Sequence, residues 1–191
     1  MSRWASLIVL LLSFQALAVD PVMHSQSVIE DTGIDHQGLL SVNVGAGEFH
    51  QQINARAIAI GTELTAARLQ LQQELEIQAF DLSQDTQADL LGASFSFSTG
   101  LIGINQAAGS GNQQINAFRL GVGRQDLDDS VLAQQLVAPA QPSGTTDQPK
   151  GNRMVVTDDT AFAGSRGVVQ LNQSAGVANQ TVNSLSMTVV D

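Results

Sequence analysis

There is no cysteine in this chain and no tyrosine, and its one tryptophan is the fourth residue. No disulfide framework can hold the fold, and no thiol is available as a nucleophile. With seven phenylalanines among 191 residues, a core must be filled by Ala, Val, Leu and Ile instead of large aromatic anchors. Charge is sparse too, at 14% of residues, and lopsided: eight basic side chains against eighteen acidic ones, a formal charge of −10. That balance argues against nucleic acid and anionic lipid as partners, because both require a basic patch. His24, His36 and His50 have no metal-ligand spacing. No G-x-S-x-G elbow is present. Asp126, Asp128 and Asp129 lack the closing Glu of a calcium loop, and Gly121-Val122-Gly123 is too short for a dinucleotide fingerprint. No catalytic residue, metal or cofactor is expected, and the chain does not read as an enzyme.

Long hydrophobic runs are also missing. The unbroken apolar stretch Leu7 to Leu12 falls well short of the roughly twenty residues that cross a bilayer. Preceded by Arg3 and followed by Ala16-Leu17-Ala18, it reads as a secretory signal over residues 1–18, so an integral membrane protein is not expected. Without a cysteine after the cleavage site there is no attachment point for a lipoprotein anchor.

What the chain does contain is repetition. Three 23-residue windows align without a gap: residues 38–60 (GLLSVNVGAGEFHQQINARAIAI), 100–122 (GLIGINQAAGSGNQQINAFRLGV) and 167–189 (GVVQLNQSAGVANQTVNSLSMTV). Gly38, Gly100 and Gly167 coincide, as do Asn43, Asn105 and Asn172, and Gly47, Gly109 and Gly176. Gln51, Gln113 and Gln180 coincide too, and so do Asn54, Asn116 and Asn183. Within each window the residues predict strand, turn, strand. Leu40 and Val42, Ile102 and Ile104, and Val169 and Leu171 alternate with smaller or polar residues, the period of a half-buried strand. The Gly/Ala-rich stretch that follows suits a tight turn, for which these glycines supply positive φ. A second strand then carries Ile115, Leu120 and Val122 in the middle window.

Nine asparagines occur in the chain, and all but Asn152 lie inside the windows. A lone buried amide is costly, but one stacked on an identical amide about 4.8 Å away hydrogen-bonds along a ladder. Asn at matched positions therefore predicts stacking. Turn placement is the competing reading, and it suits Asn112 and Asn179 best. The charges avoid the windows: only Glu48, Arg56 and Arg119 fall inside them, and no proline does. Uncharged, breaker-free segments of high β propensity are those that pair with copies of themselves.

The expected architecture is mainly β, with three strand-turn-strand repeats stacking as a β-solenoid or cross-β array. They are joined by partly disordered linkers at residues 61–99 and 123–166, after an N-terminal leader at 19–37. In the first linker, Leu69 to Ala79 alternates as a strand would, although Leu64, Arg68, Leu71 and Leu75 also fit a helix stripe. Ser94 to Ser98 reads as a short strand, and Val137 to Asn152 as a flexible loop.

The repeat skeleton, clearest in GVVQLNQSAGVANQTVN from Gly167 to Asn183, resembles that of the Fap functional-amyloid subunits of pseudomonads. Members of that family are exported fibre proteins with three imperfect repeats separated by non-repetitive linkers. The resemblance implies an extracellular component or nucleator of amyloid fibres that support adhesion and the biofilm matrix. Its partners would be itself and related fibre subunits, delivered through the periplasm and an outer-membrane export pore. The first window departs from the pattern at Val44, Glu48, Phe49 and His50. The C-x-x-C pair of the major fibre subunit is absent, which favours a minor or nucleator-like subunit. A monomeric β-solenoid adhesin and a periplasmic accessory protein of a fibre secretion system remain as alternatives.

Overall fold

The computed structural model describes residues 24–61, 67–77, 82–123, 131–139 and 151–189. The expected signal over 1–18 lies outside them. Among the described residues every regular element is a strand: β1 (His24–Glu30), β2 (Gln37–Glu48), β3 (Gln51–Ile60), β4 (Leu69–Ile77), β5 (Asp85–Leu91), β6 (Thr99–Ser110), β7 (Gln113–Val122), β8 (Val131–Pro139), β9 (Arg153–Thr157), β10 (Arg166–Val177) and β11 (Gln180–Val189). They pair in parallel into sheets ordered β1-β5-β9, β2-β6-β10, β3-β7-β11 and β4-β8. The chain thus passes through the sheets in one order and returns to the first, laying a second layer on the first and a third on the second.

The register is that of the sequence windows. Gly38 pairs with Gly100 and Gly100 with Gly167; Asn43, Asn105 and Asn172 form one column, and Asn54, Asn116 and Asn183 another. Only this register sets like side chains upon like, since a slip of one residue would send every side chain to the opposite face. The even-numbered positions of β6 face the first sheet. There Ile102 and Ile104 join Ile29, Leu90 and Phe95 in a buried cluster, flanked by Leu40, Val42, Val44, Ala161, Phe162 and Leu171. Each such side chain contributes about 1.5–3 kcal/mol by leaving water. The middle layer is covered on both sides, so β6 and β7 are buried nearly throughout, while β2 and β11 are buried at best in alternation.

Several details differ from what the residues suggested. The matched glycines do not form the turns. Gly47, Gly109 and Gly176 lie within strands, and the chain reverses just after them, at Phe49-His50, Gly111-Asn112 and Ala178-Asn179. A Cβ on Gly109 would meet the carbonyl oxygen of Gly176 at 2.0 Å, and one on Gly100 that of Gly38 at 2.0 Å. Glycine is needed at both places for close approach of backbones between layers as well as for positive φ. The linkers are in part ordered: β4 and β5 occupy the first, β8 and β9 the second, and β1 the leader. β8 takes in Val137 to Pro139, which read as loop, while residues 140–150 lie outside the described set. No helix forms at Leu71 and Leu75, both in β4.

Ser94 to Ser98 is not a strand but the arc from the first sheet to the second. Phe95 and Phe97 there have φ of 60° and 55°. Their counterparts match: Gly33 and Phe162 share the left-handed conformation with Phe95, and Asp35 and Gly164 share it with Phe97. Left-handed φ costs a non-glycine residue about 1–2 kcal/mol. The ladder enforces it, since the Phe95 amide donates to Thr32 O at 2.7 Å and the Phe162 amide to Ser94 O at 2.9 Å. The Phe95 and Phe162 rings stack at 5.5 Å, and Gly33 leaves room on the other side of Phe95.

Candidate functional site

Between the second and third sheets the two strands of each layer turn asparagines toward one another. In one column the Asn105 Nδ2 donates to Asn43 Oδ1 at 3.0 Å and the Asn172 Nδ2 to Asn105 Oδ1 at 3.0 Å. In the facing column Asn116 donates to Asn54 at 2.9 Å and Asn183 to Asn116 at 3.2 Å. The columns are cross-linked within each layer, with Asn54 Nδ2 to Asn43 Oδ1 at 2.8 Å, Asn116 to Asn105 at 3.1 Å and Asn183 to Asn172 at 2.8 Å. Facing carbonyls take up further donor capacity, as at Ile104 O for Asn116 (2.9 Å) and Leu171 O for Asn183 (2.9 Å). Asn105 and Asn116 are buried without an unsatisfied amide, which is how so polar a seam exists inside the protein.

The other singled-out residues occupy neighbouring columns. Gln113 Nε2 donates to Gln51 Oε1 at 2.9 Å, whereas Gln180, next in register, is exposed. Asn179 donates to Asn112 Oδ1 at 2.9 Å from its side chain and at 3.0 Å from its backbone, so these two stack and also sit in the turn. The first layer carries His50 at that place, bonded through Nε2 to Ala46 O at 3.0 Å.

Not singled out from the sequence are two glutamine pairs and the two window arginines. Gln52 donates to Gln114 Oε1 at 2.9 Å, and Gln173 to Gln106 Oε1 at 3.0 Å. Both pairs occupy matched window positions, so the signal was present. Arg119, inside the middle layer, is buried and donates from Nε and Nη2 to Ser186 Oγ of the third layer at 3.0 and 2.8 Å. Arg56 in the first layer donates to Leu40 O and lies over Gly103. Desolvation lowers its pKa from the ordinary arginine value.

Each vertical amide bond between Asn residues runs from a later layer to an earlier one, so the column has a direction. Among the described residues the third layer ends on asparagine oxygens, and the first on amide groups with no layer beneath them. Among the described residues no His, Asp and Glu cluster could hold a metal ion. The described residues include no helix, and so none long and apolar enough to cross a membrane.

The functional amyloid protein FapB/FapC family matches residues 14–190, nearly the whole chain, and the protein belongs to that family. No solved structure matches the fold.

Proposed function

From membership of that family, we propose that the chain is an exported subunit of an extracellular amyloid fibre, minor or nucleator-like in role, that supports adhesion and the biofilm matrix. It reaches the cell surface through an outer-membrane pore and works without catalysis. Its partners are further copies of itself and related subunits, stacked third layer against first so that the three layers become one stretch of a cross-β solenoid. The observation that carries this reading is the amide ladder, whose rungs are alike from layer to layer and open at both ends. Exposed apolar residues at those ends, Leu39 and Ile58 on one and Val169 and Val182 on the other, support it.

Two glycines test it. A Cβ on Gly167 would meet Gly100 O at 2.1 Å, whereas one on Gly38 meets nothing within 4 Å, because among the described residues no layer lies beneath. In a stack, Gly38→Ala would strike the third layer of the copy below. Gly176→Ala would likewise strike the first layer of the copy above, as a Cβ on Gly47 would strike Gly109 O at 1.7 Å. Each variant alone should form no fibres, and an equimolar mixture should stop at dimers, through the one junction left open. The checks are sedimentation velocity and fibre diffraction. A wild-type chain that stays monomeric at every concentration would instead support the capped adhesin.

A further inference from the structure

The stack of copies just proposed contains two kinds of junction: layer on layer within a chain, and third layer on first between chains. Inside the chain the columns suit each other even where a charge occurs. Arg119 faces Ser186 one rung away, and the serine oxygen accepts two of its donors. The other window arginine is not so placed. Its column reads Arg56, Phe118, Leu185 from first layer to third. A copy docked beneath the first layer would therefore bring its own Leu185 up against Arg56. The guanidinium would then lie between a phenylalanine and a leucine, with Leu40 O of its own layer as its acceptor. It could not swing away inward, because Asn54 and the facing β6 backbone at Gly103 confine it.

We propose that Arg56 is the gatekeeper of the junction between copies: a half-buried charge in the free chain that loses its remaining water when the next chain docks. Burying a charged group with too few acceptors is costly, whereas the same group at an open end keeps part of its hydration. The three layers of one chain therefore close on each other before copies join, and addition of a copy is the slow, concentration-limited step. Glycine at position 103 belongs to the same device, since it makes the space in which the guanidinium lies.

This inference rests on the stacking of copies, and the experiment separates the two. The full chain is compared with Arg56→Leu, Leu185→Ser and the double variant, reading the critical concentration for sedimentable fibre. Arg56→Leu removes the charge, and Leu185→Ser supplies the acceptor that Ser186 supplies to Arg119. Each should lower the critical concentration by roughly tenfold, the change expected from relieving one poorly paired charge per junction. The double variant should give back most of the gain, since a serine then faces a leucine. Melting of the monomer, followed alongside, should not track these changes. Fibres whose critical concentration is untouched by Leu185→Ser, or whose two gains simply add, would place the effect of Arg56 within its own layer and overturn the gatekeeper alone. Absence of fibres from all four chains would overturn the stacking reading and this inference together.

Discussion

A single asparagine in this protein does work that its neighbours cannot replace. Asn116 Nδ2 lies within hydrogen-bond distance of Asn54, of Ile104 O and of Asn105, and its Oδ1 accepts from Asn183 and Asn172. Replacing Asn116 and Asn183 by Asp keeps the shape but removes the donors and sets two carboxylates one rung apart, one of them buried and the other half-buried. Lost bonds at about 1 kcal/mol each, together with like-charge repulsion at reduced dielectric, should destabilise the chain by several kcal/mol. Ser184→Asp, one residue along and exposed, should change stability by less than about 0.5 kcal/mol. Thermal or urea unfolding of the two variants makes the comparison, and equal midpoints would return these asparagines to the role of ordinary turn or surface residues.

At the scale of elements, the strands of the windows were legible because their signal is local and repeated. Ile102 and Ile104 alternate within one strand, and the matched Asn and Gly fix the register of that strand on two others. The arc Gly92–Ser98 was not legible for the opposite reason. Phe-Ser alternation has the period of a strand, but Phe95 and Phe97 take left-handed φ because the layers above and below do so, a long-range constraint that no local pattern announces. The leader strand β1 was missed similarly: it pairs with β5 and not with its neighbours in sequence. The Gly-rich middles of the windows misled by one step, since positive φ there serves backbone contact between layers and leaves the reversal to the residues that follow. The arc also has an anchor that can be tested. Phe95 is fully buried and stacked on Phe162, so Phe95→Ala should cost about 3–5 kcal/mol, near the upper range for a core aromatic. The loss should appear as early opening of the first sheet in hydrogen exchange, with amides of β7 protected longest. Uniform loss of protection would show instead that the sheets open together.

For the whole molecule the question is where its charge of −10 acts. Within the chain the carboxylates of the leaders are kept apart. Glu30 of the first layer stands in register with Leu91, and Leu91 in turn precedes the arc above which Asp158 lies. Asp31 is set beside Gly92, whose amide neighbour Ala93 donates to the Asp31 carboxylate at 2.8 Å. Stacking of copies would end that separation, bringing Asp158 and Asp159 of one chain onto Glu30 and Asp31 of the next. In the free chain the backbone and side chain of Thr160 hold the Asp158 pKa below the usual carboxylate value, so it stays ionised in mild acid. Bringing like charges together across the junction would make the ionised form of this region costlier, so a stacked state would favour proton uptake over the free chains. By linkage, a state that binds more protons gains stability as pH falls. Fibre formation should therefore quicken between neutral pH and the isoelectric point near 4.4, with shorter lag times at each step down. Below the depressed Asp158 pKa the sign reverses for the monomer, because the bonds that this carboxylate accepts from Thr160 and Gly92 are lost on protonation. Asp158→Asn with Asp159→Asn should flatten the dependence by raising the rate at pH 8 toward that at pH 4.5. Lag times that are equal at both pH values in the wild type, or unchanged by the double substitution, would move the control of assembly away from this junction and onto the remaining acidic residues.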